Sequence, residues 1–474
     1  SPIPSSTSVI PLFSPRMDPP PPIPPSLPKE EKTDKTKEAE HSQPHSENGV
    51  GETEGSGANT GLIDASKSRP RRKSEKDKKL KKEDKQNIIK YFNQTINSLV
   101  KKKYGKKGFY YPFKSAEIMI TLAAVKKVLK KEPPMIEMKV PVVIVGDLHG
   151  QYSDLIRIFD MFRDDTNPGY LNTRFVFLGD YVDRGRQSLE IIMILFMLKV
   201  LYPRQFALLR GNHECRAINK AYGFAAEIRE RFLDPKKSLE IFEGFNEVFT
   251  HLPLSCLVAD SILCMHGGIS SKMKTRDDIM KIPKPLKDVS TNPIATDLLW
   301  ADPMIGLPCD VPNKVRGVSV YFGEETLDNV LKDLNLTMVF RGHQMMMNGF
   351  NFYHNKLITV FSAAAYYPDK PNRGAICCIG VDGRIGFKVI IPHPPDHPDS
   401  QLKMFRGEHD TSNDHDTGYV TVAPQFAAVL AHKEEAKKSR EEKGAGGHHD
   451  KEEDKEEEKE KEKEKEKDRE KEKE

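Results

Sequence analysis

Cysteine is scarce in this sequence of 474 residues, and its six cysteines form no CxxC pair. All of them fall between residues 215 and 378, without the regular spacing of a disulfide framework. The sequence is therefore not that of a disulfide-rich secreted domain. We expect an intracellular protein of the cytoplasm, the nucleus or both.

Long apolar runs are also missing. The longest candidate, LEIIMILFMLKVLYP at residues 189–203, is too short to cross a bilayer and predicts a buried helix. The formal net charge of only +4 gives no reason to expect a nucleic-acid surface. The sequence thus predicts no membrane span and no specific nucleic-acid partner.

Clusters of aliphatic residues are nearly absent from both ends of the chain. Residues 1–88 are rich in Pro, Ser, Lys and Glu, and the segment 396–474 becomes polar and then almost purely Lys and Glu. Such segments bury too little apolar surface to offset the entropy of ordering them, so both are predicted to be disordered tails. One α/β domain is expected between them, at residues 89–395. The chain begins with Ser, which leaves open whether a targeting segment precedes it.

What the middle of the chain does contain is a repeated pattern: a short apolar run closed by glycine and by Asp, Asn, His or Arg. The five examples are VVIVGDLHG (142–150), RFVFLGDYVDRG (174–185), FALLRGNHECR (206–216), SILCMHGG (261–268) and TMVFRGH (337–343). Helical patterns separate the first three, which predicts parallel strands with right-handed crossovers. The polar turns should then meet at the carboxyl ends of the strands, where open α/β sheets bind ligands.

These strand ends supply six candidate metal ligands. They are Asp147, His149, Asp180, Asn212, His266 and His343. Carboxylate, imidazole and amide groups without thiolate suit manganese, iron or zinc, and six ligands fit two ions if one carboxylate is shared. Each motif taken alone has a structural alternative; the Asn and Glu of GNHE, for instance, could simply cap the next helix.

The ordered set GDxHG, GDxVDRG, GNHE, HGG and RGH resembles the metal-dependent protein serine/threonine phosphatases of the metallophosphoesterase superfamily. The resemblance covers about residues 88–392, and GDYVDRGRQSLE, LLRGNHECRAINKAYGF and DLLWADP are most similar to the type-1 branch. It implies a four-layer α/β fold with a central two-sheet β-sandwich flanked by helices. It also implies hydrolysis of phosphoserine and phosphothreonine monoesters by direct attack of a hydroxide that bridges two metals.

The resemblance further implies how the six ligands are shared. Asp147, His149 and Asp180 would hold the first metal, with Asp180 bridging, and the other three candidates would complete the second. Manganese is the first expectation for the isolated protein, and iron and zinc are alternatives.

By the same resemblance, Arg184, Arg316 and Tyr366 would bind the substrate phosphate. His213 would protonate the departing serine or threonine oxygen, and Asp183 would hold His213 in the correct tautomer. For Arg316 the residue pattern alone favours a surface salt bridge. The loop SAAAYYPDKPNRG (362–374) departs from the family pattern SAPNYCG but keeps Tyr366, so substrate choice and inhibitor sensitivity are open.

Two further expectations concern partners: phosphoprotein substrates and regulatory subunits. The type-1 branch docks short regulatory peptides in an apolar groove, and the residues at matching positions are Ile262, Met338, Phe352, Ile358, Val360 and Phe387. Their alternative interpretation is ordinary core packing.

Two other functions remain open at this stage. Nucleotide phosphodiesterases and dinucleotide-polyphosphate hydrolases share GDxHG and GNH, although the contexts DYVDRG and HECR favour a protein phosphatase. A catalytically weak scaffold would be expected to have lost ligands, and all six are present.

Overall fold

The computed structural model describes residues 75–102, 110–367, 371–394 and 397. The described chain divides between residues 88 and 89 into two compact units, and the unit from residue 89 onward contains the strands, the candidate site and the cavity discussed below. Most of both predicted tails lies outside the described residues, so the predicted domain boundaries stay predictions. The first helix nevertheless begins at Glu75, inside the segment predicted to be a disordered tail.

The elements alternate along the chain as the apolar runs and helical patterns indicate. The helices are α1 (Glu75–Lys102), α2 (Ser115–Leu129), α3 (Tyr152–Asp160), α4 (Ser188–Leu201), α5 (Arg216–Ala221), α6 (Phe224–Arg231), α7 (Pro235–Phe249), α8 (Arg276–Met280), α9 (Pro293–Trp300) and α10 (Glu324–Asp333). The strands are β1 (Met135–Met138), β2 (Val142–Val145), β3 (Phe175–Phe177), β4 (Phe206–Leu208), β5 (Ser255–Val258), β6 (Ile262–Met265), β7 (Asp302–Pro303), β8 (Val311–Pro312), β9 (Val320–Phe322), β10 (Met338–Arg341), β11 (Phe350–Tyr353), β12 (Leu357–Val360), β13 (Gly374–Ile379) and β14 (Ile385–Ile390). Short 3₁₀ turns cover Asn212–Glu214 and Val289–Thr291.

Local sequence signals explain several of the helix boundaries. The Asp234 carboxylate accepts hydrogen bonds from the backbone N–H groups of Lys236 and Lys237, and Pro235 occupies the first turn of α7. Asn292 and Pro293 begin α9 in the same way. Both pairs satisfy the preferences of a helix N-terminus. Helix α4 is apolar on nearly every face and is correspondingly buried.

The strands form two large sheets and one small one. The six-stranded sheet has the order β1-β5-β6-β10-β12-β11, the five-stranded sheet β14-β13-β2-β3-β4, and the small sheet β7-β9-β8. Strands β2, β3 and β4 pair in parallel, which confirms the topology predicted for the first three motifs. The polar ends of the fourth and fifth motifs follow β6 and β10, which are parallel neighbours in the six-stranded sheet.

The core lies between the two large sheets. Side chains from both inner faces, such as Ile144, Leu178, Phe340 and Ile379, form one buried cluster. A second cluster joins the outer face of the six-stranded sheet to α8, α9 and α10, while α3 and α4 contact the five-stranded sheet. This β-sandwich with helices on both sides confirms the predicted fold class.

Candidate metal centre and phosphate site

The predicted site residues occupy turns with unusual backbone geometry. His149, Asp180, Asp183, Arg184 and His343 all have positive φ, between 42° and 74°. This region is disfavoured for residues that carry a Cβ, and it persists only where the surrounding structure imposes it. The occurrence of five such residues at the strand ends is typical of a functional site whose backbone is held under strain.

The Asp180 carboxylate lies in the middle of the site. Its Oδ2 atom is 3.4 Å from His149 Nε2 and 3.3 Å from His266 Nε2. The backbone N–H of His213 donates to its Oδ1 atom at 2.9 Å. Asp180 therefore lies within reach of ligands from both predicted metal positions.

On one side of Asp180 lie two predicted ligands from the first motif. Asp147 Oδ2 is 3.7 Å from His149 Nε2, and Asp147 Oδ1 accepts the backbone N–H of His343 at 2.9 Å. His213 also presents Nε2 toward Asp180, at 3.9 Å. On this side, the side chains whose ligand atoms lie close enough together to hold one cation are those of His149, Asp180 and His213, and Asp147 is not in this group.

On the other side, two imidazoles and one amide converge. His266 Nε2 is 2.7 Å from Asn212 Oδ1 and 3.1 Å from His343 Nδ1, and Asn212 Oδ1 is 3.0 Å from His343 Nδ1. A half-turn of the Asn212 amide would instead let its nitrogen donate to both imidazoles and to Asp180. With the oxygen facing inward, acceptor atoms crowd together, which is the arrangement that a cation requires.

The remaining imidazole nitrogens show which lone pairs are available. His149 Nδ1 lies 3.0 Å from the carbonyl oxygen of Val182, and His266 Nδ1 lies 3.2 Å from that of Leu178. The His149 Nδ1–H therefore donates to a carbonyl and leaves Nε2 as an acceptor, as in metal-ligating histidines. Burial, with the neighbouring His213 as the next cause, lowers the pKa of His149 to about 3. A neutral His149 is ready to bind a metal.

The two carboxylates are perturbed in opposite directions. Burial raises the pKa of Asp147 to about 6, against the attraction of His266. For Asp180 burial also acts upward, but the charges of His266 and His213 outweigh it and the pKa falls below its usual value. The central carboxylate is therefore ionised in the fold, which suits a shared ligand. The donor set fits two cations.

His213 and Asp183 form a buried dyad beside the ligands. His213 Nδ1 is 2.6 Å from Asp183 Oδ2, while Asp183 Oδ1 accepts the backbone N–H of Phe224 at 2.8 Å. Burial lowers the pKa of His213, but Asp180 and then Asp183 outweigh this effect and raise it overall. The Asp183 bond leaves the other ring nitrogen of His213 directed toward the site.

The predicted phosphate-binding residues surround this centre. Arg184 is exposed, and its guanidinium lies 4.4 Å from the centre of the Tyr222 ring. Arg316 bonds the Asp302 carboxylate through Nε at 2.9 Å and the backbone carbonyl of His343 at 3.3 Å. Because Asp302 is buried, this ion pair is not the surface salt bridge that the residue pattern alone suggested.

Tyr366 covers the ligands predicted for the first metal. Its ring stacks on His149 at 5.1 Å with an interplanar angle of 29°. Burial raises its pKa, so the hydroxyl stays protonated and can donate a hydrogen bond. Residues 368–370 of the divergent loop lie outside the described residues.

Sequence reasoning missed the role of Glu214. Its carboxylate accepts backbone N–H groups from Asp180 at 2.8 Å, Tyr181 at 2.9 Å and Gly211 at 2.9 Å. It thereby ties the turn after β3 to the turn after β4. The signal was present in GNHE, but the sequence offered only a helix cap as its explanation.

The expected docking groove is not formed by the predicted side chains. Five of them are at most 1% exposed within the inter-sheet core, and Phe352 is half-buried. The five buried ones are Ile262, Met338, Ile358, Val360 and Phe387. A partner could not contact them without opening the sandwich, so the prediction is corrected to its alternative, core packing.

The fold and the mixed N/O centre together define a metallophosphoesterase. Consistent with this, the calcineurin-like phosphoesterase family model matches residues 140–347. The chain is 41% identical over 281 residues to serine/threonine-protein phosphatase PP1-delta of Caenorhabditis elegans, covering 59% of this chain and 88% of that protein. It is also similar to the structure of a protein serine/threonine phosphatase from Saccharomyces cerevisiae with similarity to human phosphatase PP5. That match has 30% identity and a TM-score of 0.53, and covers 60% of this chain and 92% of the other.

The chain therefore belongs to the serine/threonine protein phosphatases, a family of metal-dependent hydrolases. This confirms the resemblance and the phosphatase function predicted from the ordered motifs. No helix among the described residues is both long and apolar enough to cross a membrane.

Proposed function

We propose that this chain hydrolyses phosphoserine and phosphothreonine monoesters of phosphoproteins at the centre around Asp180, with two metal ions bound. The observation that carries the proposal is the convergence of acceptor atoms on that carboxylate. His149 and His266 approach Asp180 Oδ2 from two sides, within 3.4 Å and 3.3 Å. Neutral imidazole nitrogens this close to a buried carboxylate need a cation or a proton between them.

In this proposal Asp147 and His149 hold one ion, Asn212, His266 and His343 hold the other, and Asp180 is shared. His343 supports this assignment because its Nδ1 faces Asn212. The ions, when bound, lower the pKa of a water molecule and neutralise charge on the phosphoryl group. An N/O ligand set without thiolate suits manganese, iron or zinc.

The remaining residues act on the phosphate and the leaving group. Arg184 and Arg316 would bind phosphoryl oxygens, because a planar guanidinium matches phosphate geometry and stays charged. Tyr366 would donate a hydrogen bond from its hydroxyl to the same group. His213 would protonate the departing serine or threonine oxygen, and Asp183, at 2.6 Å, would orient it.

Partners and location belong to the same proposal. We expect regulatory subunits to select the phosphoprotein substrates, at a surface other than the buried residues first predicted. The six cysteines have no disulfide among the described residues, which supports a reducing compartment in the cytoplasm or the nucleus.

The test uses the full chain, stripped of metal by a chelator and then titrated with Mn²⁺. We expect two bound ions per chain by elemental analysis, and hydrolysis of a phosphoserine peptide in preference to a dinucleotide polyphosphate. Asp180→Ala should lose both metal and activity, whereas the exposed control Asp277→Ala should keep both. Full activity of the metal-free chain or of Asp180→Ala would contradict the proposal.

A further inference from the structure

A cavity of about 720 Å³ lies at the edge of the sandwich where terminal strands of the two large sheets meet. Strand β1 ends the six-stranded sheet, and β4 ends the five-stranded sheet. Residues of both strands line the cavity, among them Glu137 of β1 and Phe206 of β4. The residues of the metal centre are not among its lining residues.

The outward edge of β1 is open. Its other edge pairs with β5, and there the carbonyls of Pro134 and Met138 accept N–H groups from Leu254 and Ala259, at 2.8 Å and 3.0 Å. Because backbone groups alternate along a strand, the N–H and C=O of Glu137 point to the opposite edge. No strand pairs with that edge within the described part of the chain.

The facing edge of β4, in contrast, is closed. The buried Lys199 ammonium donates to the carbonyls of Phe206 at 2.7 Å and Pro203 at 3.1 Å, and it also pairs with Glu132. Proteins commonly protect an edge strand with a lysine in this way. Since the Phe206 carbonyl is already bonded to Lys199 and no hydrogen bond is found for the outward groups of Glu137 among the described residues, β1 is the strand at this cavity that can accept a partner.

The side chains around the open edge are predominantly basic. Lys139, Arg174 and Arg204 line the cavity together with Glu137. Among the described residues Lys139 and Arg204 have no hydrogen-bond or ion-pair partner, and Arg174 reaches only the Val140 carbonyl, at 3.4 Å. These three basic side chains are therefore complementary to carboxylates.

We propose that the open edge of β1 binds an extended, acidic segment of a partner protein, which adds to the six-stranded sheet as a further strand. Backbone hydrogen bonds to Glu137 would set its register. Its alternate residues would be acidic and face Arg174 and Arg204. The residues between them would be apolar and face Leu257 and Met280, which line the other side of the cavity.

The probe is a fluorescein-labelled octapeptide of alternating Glu and Val, added to the full chain and followed by fluorescence anisotropy. A peptide of alternating Lys and Val tests the charge. An alternating Glu and Val peptide with every second amide N-methylated tests strand pairing. We expect both control peptides to bind at least about tenfold more weakly than the probe.

Variants of the protein separate charge from backbone pairing. Arg204→Glu and Arg174→Glu should each weaken the probe about tenfold or more, while Arg229→Glu, at an exposed position on α6, makes the same charge change and should have no effect. Glu137→Ala and Glu137→Pro both remove the carboxylate, but only proline removes the outward N–H. We therefore expect Glu137→Ala to bind the probe as well as or better than the native chain, and Glu137→Pro to lose it.

Circular dichroism and aryl-phosphate hydrolysis report whether each variant stays folded. The proposal is overturned if the Lys and Val peptide binds as tightly as the probe, or if Arg229→Glu weakens binding as much as Arg204→Glu. Equal binding by folded Glu137→Pro and Glu137→Ala would also overturn it, because the β1 edge would then not be used. If Glu137→Pro is unfolded, the N-methylated peptide decides whether strand pairing is needed.

Discussion

Replacing His213 by alanine tests the proposed general acid most directly. A serine alkoxide is a poor leaving group near neutral pH, whereas an aryl oxide leaves readily without a proton. The loss should therefore depend on the substrate. We expect kcat for a phosphoserine peptide to fall by ~10²–10⁴-fold, or about 2.7–5.4 kcal/mol, and kcat for an aryl phosphate to fall by less than about tenfold.

Replacing Asp183, which contacts His213, should reduce the same rate by a smaller factor. The 2.6 Å bond between His213 Nδ1 and Asp183 Oδ2 is buried, and a charged hydrogen bond of this kind contributes about 1.5–3 kcal/mol. Asp183→Asn should therefore reduce kcat on the phosphoserine peptide by about 10- to 100-fold. The loss on the aryl phosphate should again be smaller.

The assay compares steady-state rates on the two substrates, together with the metal content of each variant. His354→Ala, at an exposed position away from the site, is the control and should leave both rates unchanged. His213 also lies in the tight cation group with His149 and Asp180. If His213→Ala lost metal and slowed both substrates equally, His213 would be a ligand, and the general-acid reasoning would be refuted.

Three further predictions concern metal, phosphate and pH. Saturation with Mn²⁺ at 100 times its Kd should raise the free energy of unfolding by about 2.7 kcal/mol for each bound ion, and this gain should be absent in Asp180→Ala, as measured by urea denaturation. Arg316→Ala should lower kcat/KM on the phosphopeptide by about 10- to 100-fold, and Arg316→Lys should not restore it, because lysine lacks the planar fork; full rescue by lysine would count against a bidentate contact. Burial, followed by the charge of Glu190, raises the pKa of Glu227 from 4.5 to about 7. Between pH 4.5 and about 7 the unfolded chain loses the Glu227 proton, whereas the folded chain keeps it. The free energy of unfolding therefore falls as the pH rises through this range, by an amount on the order of 3 kcal/mol. Glu227→Gln should make the free energy of unfolding fall less steeply over this range, and an unchanged slope would argue against the shift.

The sequence by itself determined the parallel pairing of the first three motif strands and the chemistry at the strand ends. Apolar runs that stop at Gly-Asp and Gly-Asn are local patterns, and they were sufficient to predict the parallel β2-β3-β4 arrangement and the ligand candidates. Patterns of this kind report burial and backbone preference within a few residues. They do not report distances between segments far apart in the chain.

Only the tertiary structure decided how those segments meet. It directs the Glu214 carboxylate into the turn that carries Asp180, 34 positions earlier, where the sequence suggested a helix cap. It also buries Ile262 and Phe387 between the sheets, where a surface groove was expected. An apolar residue in a strand has the same local signature whether it faces the core or a partner, because the choice depends on which sheet packs against it.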